Sequence, residues 1–157
     1  MTIPLIAAGG MATGQAMAAC MVLGAEGFQI GSRFVACIES SAHDNFKNAV
    51  LKAKEGDTEL TLKELTPVRL LKNSFYDSVK EAYANNASKE DLHDLLGRGR
   101  AKKGMFEGDL IEGELEIGQV AGILDHLMSA EEIIKSLILE FNDAKNKIMN
   151  TSLKPND

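Results

Sequence analysis

Two short apolar runs, each meeting glycine at its C-terminal side and separated by one helix-length segment, constrain this chain more than any other feature. The first is residues 3–8, "IPLIAA", which stops at Gly9-Gly10. A continuous apolar run with β-favouring residues, too short for a helix, suits a parallel strand covered on both faces, so a central strand is expected here. Thr13 stands where it can cap the next segment, in which Ala16, Ala19, Cys20 and Leu23 recur at helical spacing. Gly24 then supplies a residue that tolerates a left-handed C-terminal cap. After "GAEG" comes the second run, Phe28-Gln29-Ile30-Gly31-Ser32-Arg33-Phe34-Val35. Strand, helix, strand is a βαβ unit, with the right-handed crossover that parallel strands require.

The ends of the two strands can be compared directly: Gly9-Gly10 after the first, Gly31-Ser32 after the second. In a (β/α)8 barrel the loops after the last two strands lie side by side at the C-terminal face, where such barrels commonly hold a phosphate. Glycine lets the backbone come close to an anion, and a helix N-terminus adds partial positive charge. Ser32 offers a hydroxyl donor. Either glycine pair alone reads more simply as a tight turn. Both together, one βα unit apart, point to a phosphate site.

Beyond residue 40 the pattern turns helical. Ser41 and Asp44 resemble a shortened capping box ahead of an apolar stripe of Phe46, Ala49, Val50 and Ala53. Leu60 and Leu62 alternate with Glu59, Thr61 and Lys63, which predicts a brief half-exposed strand. Thr66-Pro67 predicts the cap and first position of a helix carrying Val68, Leu71, Phe75, Val79 and Tyr83. Ser88 with Asp91 opens a short helix ending at Gly97. Ser129 with Glu132 makes a fuller capping box before Ile133, Ile134, Leu137, Ile138 and Phe141. Residues 152–157, "SLKPND", are expected to fray.

Composition narrows the classes of partner. The formal net charge is −6 and the sequence pI is near 5.1, so the general field opposes nucleic acid and anionic lipid. Tryptophan is absent and aromatics make up 5%, which removes the stacking platforms that single-stranded nucleic acid needs. No apolar run approaches the roughly 18 residues of a membrane span, and the start lacks the charged region and cleavage site of a signal peptide. A cytoplasmic location is expected, with neither nucleic acid nor membrane as partner. Cys20 and Cys37 lie in apolar segments without zinc or redox spacing and read as small buried hydrophobes.

The segment "IPLIAAGGMATGQAMAACMVLGAEGFQIGSRFVA" resembles the end of the barrel in the FMN-dependent nitronate monooxygenases and the flavin-dependent type II enoyl-ACP reductases. "TPVRLLKN", residues 66–73, is similar to that family's segment after the last strand. "GMFEGDLIEGELEIGQVAGIL", residues 104–124, is similar to its glycine-rich EGD and GQ-AG stretch. The first motif is shared in outline with other phosphate-binding barrels such as inosine monophosphate dehydrogenase; the later two are more specific. The resemblance implies an α/β chain: the C-terminal part of a (β/α)8 TIM barrel with its last two parallel strands within residues 1–56, then a mostly helical region over 57–157. It also implies FMN as cofactor, its 5′-phosphate on Gly9, Gly10, Gly31 and Ser32 with Ala8 lining the approach. Where many relatives have threonine, Ser32 keeps the hydroxyl and loses a methyl contact. Gln119 falls in the GQ motif, where it either faces the flavin edge or simply starts the next helix. A nitronate or acyl substrate, with NAD(P)H for enoyl reduction, completes the implied set of partners.

The same resemblance implies a catalytic histidine on an earlier barrel strand, upstream of the segment this chain matches. His43, His93 and His126 are expected at the surface or an interface, and none is assigned a catalytic role. Two parallel strands alone leave unpaired edges. Self-association or a partner chain completing the barrel is therefore expected, unless Met1 is an internal start in a truncated or split gene; the alternative to an FMN-binding enzyme portion is a non-catalytic barrel remnant in which the glycine turns survive as structure. Arg98, Arg100, Lys102 and Lys103 read as a solvated basic face, with a nucleotide phosphate or acidic carrier as the alternative. Arg69 and Asn73 are expected one turn apart on a helix, securing it to the barrel. Glu107 and Asp109 read as a turn, and Met17 and Met21 as core filling. Met11, after the double glycine, could touch the flavin.

Overall fold

The structure, a computed structural model, describes residues 3–152. Its N-terminal part is the expected βαβ unit. Strand β1 (Ile6–Ala8) pairs in parallel with β2 (Gly27–Gln29), Ala7 opposite Phe28, and α1 (Gly14–Val22) forms the crossover. The Thr13 side chain accepts a hydrogen bond from the Ala16 amide, and Gly24 beyond the helix adopts φ +102°. Both local signals act as their chemistry dictates.

The strands are shorter and barer than expected. Residues 3–5 lie outside β1, and Ile6 is 53% exposed on a sheet that has two strands among the described residues. The second run splits: only Gly27–Gln29 is strand, and Ser32–Val35 turns into a short helix, α2. Packing explains the split. Ile30 and Phe34 join Met17 and Met128 around buried Cys37, Ile133 and Leu137, which requires the chain to fold back at Gly31.

Helix α3 (Asp44–Lys52) buries Phe46 and Val50 completely. Its cap is His43, whose Nδ1 accepts from the Asn45 amide at 3.1 Å, and not Ser41, which lies too far before the first turn. The largest correction concerns residues 66–73. No helix starts at Thr66-Pro67; β4 (Val68–Leu71) pairs antiparallel with β3 (Thr58–Thr61), Leu60 opposite Arg69. The other side of β4 is also used, since the Leu71 amide donates to Leu115 O and the Ile117 amide to Arg69 O. Backbone partners on both sides outweigh a helical apolar spacing that is genuine only from Phe75 onward. The half-exposed strand predicted around Leu60 and Leu62 is therefore present, but as one arm of a hairpin that ends before Leu62.

Helix α4 (Ser74–Ala84) begins at an Asn73 cap, so Arg69 and Asn73 are on different elements and share no helix face. Leu62, Leu70, Phe75, Val79 and Leu92 form the core between the hairpin, α4 and α5 (Lys89–Leu96). Capping boxes at Ser88 and Asp91 and at Ser129 and Glu132 open α5 and α7 (Ala130–Met149). Between them lie α6 (Arg100–Met105) and a 3-10 helix, Gln119–Ile123. A further core joins Phe46, Val50, Leu71, Leu115, Ile117, Ala121 and Leu124, so the segment from 115 to 124 is stitched between β4 and α3. Fraying expected over 152–157 falls, from residue 153 onward, outside the described residues. Among the described residues no helix is long and apolar enough to cross a membrane.

Candidate functional site

Parallel pairing of β1 and β2 brings their C-terminal ends, and hence the turns that follow, to one side of the sheet. Ala8, Gly9, Gly10 and Met11 from the first turn and Gln29, Gly31 and Ser32 from the second line one cavity of about 300 Å³. Gly118 and Val120 close its wall from the 3-10 segment. Five of the six residues singled out in the sequence are thus assembled at one place. Gln119, the sixth, is exposed at the first position of the 3-10 helix and does not line the cavity, although both its neighbours do.

The backbone of the turn is built for glycine. Gly9 and Gly10 sit at φ +82° and +68°, a succession that L side chains rarely adopt. Gly31 has φ −99°, which any residue accepts. At all three, a Cβ would meet no protein atom within 4 Å, so each glycine faces open space. Among the described residues, no turn, cap or side-chain acceptor takes the amides of Gly9, Gly10, Gly31 or Ser32. No carboxylate among the described residues lines the cavity. The arrangement offers neutral donors, and no side chain of it would repel an anion.

One expected contribution is spent elsewhere. The first amide of α1, on Gly14, donates to the Glu140 carboxylate of α7 at 2.7 Å, so the partial positive charge of that helix end already faces a carboxylate. Ser32 carries a contact that local sequence reading could not supply: its Oγ accepts the Gly118 amide at 3.0 Å, across 86 positions of chain. Met11 is buried at 6% exposure and, with Val120, gives the cavity apolar wall.

The remaining candidates resolve into structure. None of the three histidines lines the cavity. His43 caps α3 against Gly108, His93 is exposed beside Asp94, and His126 pairs with Asp125. Arg100 is not free for an anion: its guanidinium donates to Leu95 O, Leu96 O and Glu112 O and lies 4.4 Å from the centre of the Phe75 ring. Lys102 and Lys103 pair with Glu107 and Asp109, each at 3.1 Å. Asp109 holds the turn by accepting the Ile111 and Glu112 amides; with the Glu112 contact foremost, these bonds and Lys103 keep its carboxyl below the ordinary range. Arg69 donates to Thr58 across the hairpin. A buried carboxyl, Glu114, escaped notice in the sequence; burial, helped by Glu116 and opposed by Arg100, pushes it up to about 7.

The family model described as nitronate monooxygenase matches residues 1–140. The chain is 33% identical to a probable nitronate monooxygenase of Staphylococcus saprophyticus over 147 residues, which is 92% of this chain and 41% of that protein. Among solved structures it is similar to FabK from Thermotoga maritima, with a TM-score of 0.87 and 37% identity, covering 95% of this chain and 47% of that one. It is also similar to the nitroalkane oxidase from Streptomyces ansochromogenes, with a TM-score of 0.72 and 31% identity, covering 94% and 42%. The chain therefore spans less than half the length of these relatives, and its two parallel strands match part of a barrel that is not closed here.

Proposed function

The chain belongs to the nitronate monooxygenase family, and we propose from this premise that its glycine-lined cavity holds the 5′-phosphate of FMN as the cofactor-binding part of a flavin-dependent oxidoreductase. The observation that carries the reading is the convergence of Gly9, Gly10, Gly31 and Ser32 on one cavity at the ends of adjacent parallel strands. Open space where Cβ atoms would stand and a lining without a carboxylate among the described residues both suit a phosphate monoester. In this reading the three glycine amides and the Ser32 hydroxyl bind the anion, Ala8 shapes the approach, and Met11 and Val120 offer apolar contact. A bound flavin would supply electron transfer from a nitronate to O2, or hydride transfer from NAD(P)H to an enoyl thioester.

A second element of the proposal concerns completeness. Leu5, just before β1, and Ile6, on it, are exposed at 48% and 53%, and among the described residues β1 is paired along one edge, so apolar surface that a barrel would bury faces solvent. We propose that the preceding strands of the barrel, or a second copy of this chain, must cover this edge before the flavin ring is walled in and turnover begins. The catalytic base then comes from outside the described residues, since none of the described histidines lines the cavity.

The test is a fluorescence titration of the purified chain with FMN and, in parallel, riboflavin. Preference for FMN, lost in Gly10→Asp, is the expected result. Gly31→Ala is the sharper variant because alanine there meets neither strain nor clash, so lost binding reports ligand exclusion and not misfolding. Equal, weak binding of both flavins would remove the phosphate from this cavity. Co-expression with the N-terminal half of a relative, followed by nitronate and enoyl-thioester assays, decides between the two reactions.

A further inference from the structure

Among the described residues Ser32 is the only hydroxyl-bearing side chain lining the cavity, and its oxygen is already engaged. The Gly118 amide donates to Ser32 Oγ at 3.0 Å, while among the described residues no acceptor takes the serine's own proton. A hydroxyl has one proton and two lone pairs; with a lone pair filled by an N–H, its remaining strong capacity toward a ligand is to donate. The two residues are also matched sterically. A Cβ at Gly118 would lie 2.5 Å from Ser32 Oγ and 3.7 Å from its Cβ, well inside contact for the oxygen. Gly118 has φ −71° and ψ 158°, so its backbone would accept any residue and only the approach of Ser32 demands glycine.

We infer that Gly118 is a positioning residue of the cavity: its amide locks the Ser32 side chain in one rotamer and turns the hydroxyl into a dedicated donor for a phosphate monoester. The assignment rests on the phosphate reading above. It gives the segment from 118 to 123 a task beyond packing, because Ala121 and Leu124 anchor that segment in the core of α3 and so hold Gly118 at a fixed distance from the turn after β2. The lock also favours ligands that accept over ligands that donate. A phosphate fits it, and a neutral hydroxyl, which would use its oxygen less strongly, fits it less well.

The experiment uses the full chain, 15N-labelled, with inorganic phosphate and FMN as separate probes. Gly118→Ala displaces only a serine side chain that can rotate away, so the variant is expected to fold, which circular dichroism checks. In Ser32→Ala the Gly118 amide resonance should move upfield and exchange faster even without ligand; Ser32→Thr should preserve it. Both Gly118→Ala and Ser32→Ala should weaken phosphate and FMN by about tenfold or more. Combined, they should weaken it no further, since they remove one device. Unchanged FMN affinity in Gly118→Ala, or additive losses in the double variant, overturns the inference while leaving the FMN reading intact. Phosphate binding that follows the expected variant pattern, with FMN no tighter than riboflavin, overturns FMN and supports the lock. If neither probe perturbs the Ser32 and Gly118 amides, both readings fall.

Discussion

Glu140 of the C-terminal helix accepts the amide of Gly14, the first residue of α1, at 2.7 Å, and receives the Ser136 hydroxyl on its other oxygen at 2.9 Å. This contact ties the two ends of the chain together directly behind the glycine turn. Gly14 is there for space: a Cβ would strike the Leu137 carbonyl and the Phe141 amide, backbone atoms that cannot swing aside. Gly14→Ala should therefore separate α1 from α7 and cost about 3 kcal/mol or more in chemical denaturation. Glu140→Gln, which keeps an acceptor and loses the charge, should cost about 1 kcal/mol. Equal effects of the two changes would mean that the helices are held by something other than this close approach.

Asn73 replaces the expected Thr66 as the start of the helix in this region, and it does so with three strong bonds. Its Oδ1 accepts the Tyr76 amide at 3.0 Å, while Nδ2 donates to Leu110 O at 2.9 Å and Gly113 O at 2.8 Å. Asn73→Ala should destabilise the protein by about 2 kcal/mol, a cap plus two unsatisfied carbonyls. Asn73→Asp retains the cap acceptor and yet should not rescue stability, because it sets a carboxylate against those carbonyls. Thermal denaturation at neutral pH separates the two: a wild-type melting temperature in the aspartate variant would show that only the cap matters.

Stability should fall as pH rises from acid toward neutral through Glu114. Its carboxyl is pushed from 4.5 to about 7, burial being the largest cause, so the folded state holds this proton more tightly than the unfolded chain does. The contribution is full below about pH 4.5, declines through the window to about 7, and is constant above it. Wild type should lose on the order of 3 kcal/mol from this group across that window. Glu114→Gln should be the more stable protein at pH 8 and show a flatter urea midpoint against pH. An unchanged slope in the variant would place the titration elsewhere.

The parts of the fold that were legible in the sequence are those written within a few residues. Thr13, Ser88 and Ser129 cap because each oxygen needs only an amide three positions on. Gly9-Gly10 and Gly31-Ser32 declare two turns locally, and parallel pairing does the rest. Residues 66–71 misled because Val68 and Leu71 fit a helical stripe that continues truly at Phe75, while the partners that make them a strand, Thr58–Thr61 and Leu115, are distant in the chain. The Gly118 contribution was hidden for the same reason: the only signal is a glycine with ordinary dihedral angles, whose meaning appears when Ser32 is beside it. Gln119 drew attention in its place by chemistry, but its backbone position turns it outward.

The exposed apolar face gives the last prediction. Leu5 just before β1, Ile6 on it, and Val22 and Leu23 at the end of α1 are 48%, 53%, 75% and 83% exposed, and among the described residues one long edge of β1 has no strand beside it. Unpaired amides and carbonyls beside apolar side chains form a template for another strand, which is the usual origin of edge-to-edge association. The isolated chain should accordingly show concentration-dependent oligomers in multi-angle light scattering. Ile6→Lys places a charge on that edge without touching the β2 ladder's backbone, and should shift the distribution toward monomer. Adding a polypeptide with the preceding strands of a relative should do so as well, by forming a one-to-one complex. A monodisperse monomer at high concentration, unchanged by Ile6→Lys, would show that the edge is tolerated by water as it stands and would remove the physical reason for a partner.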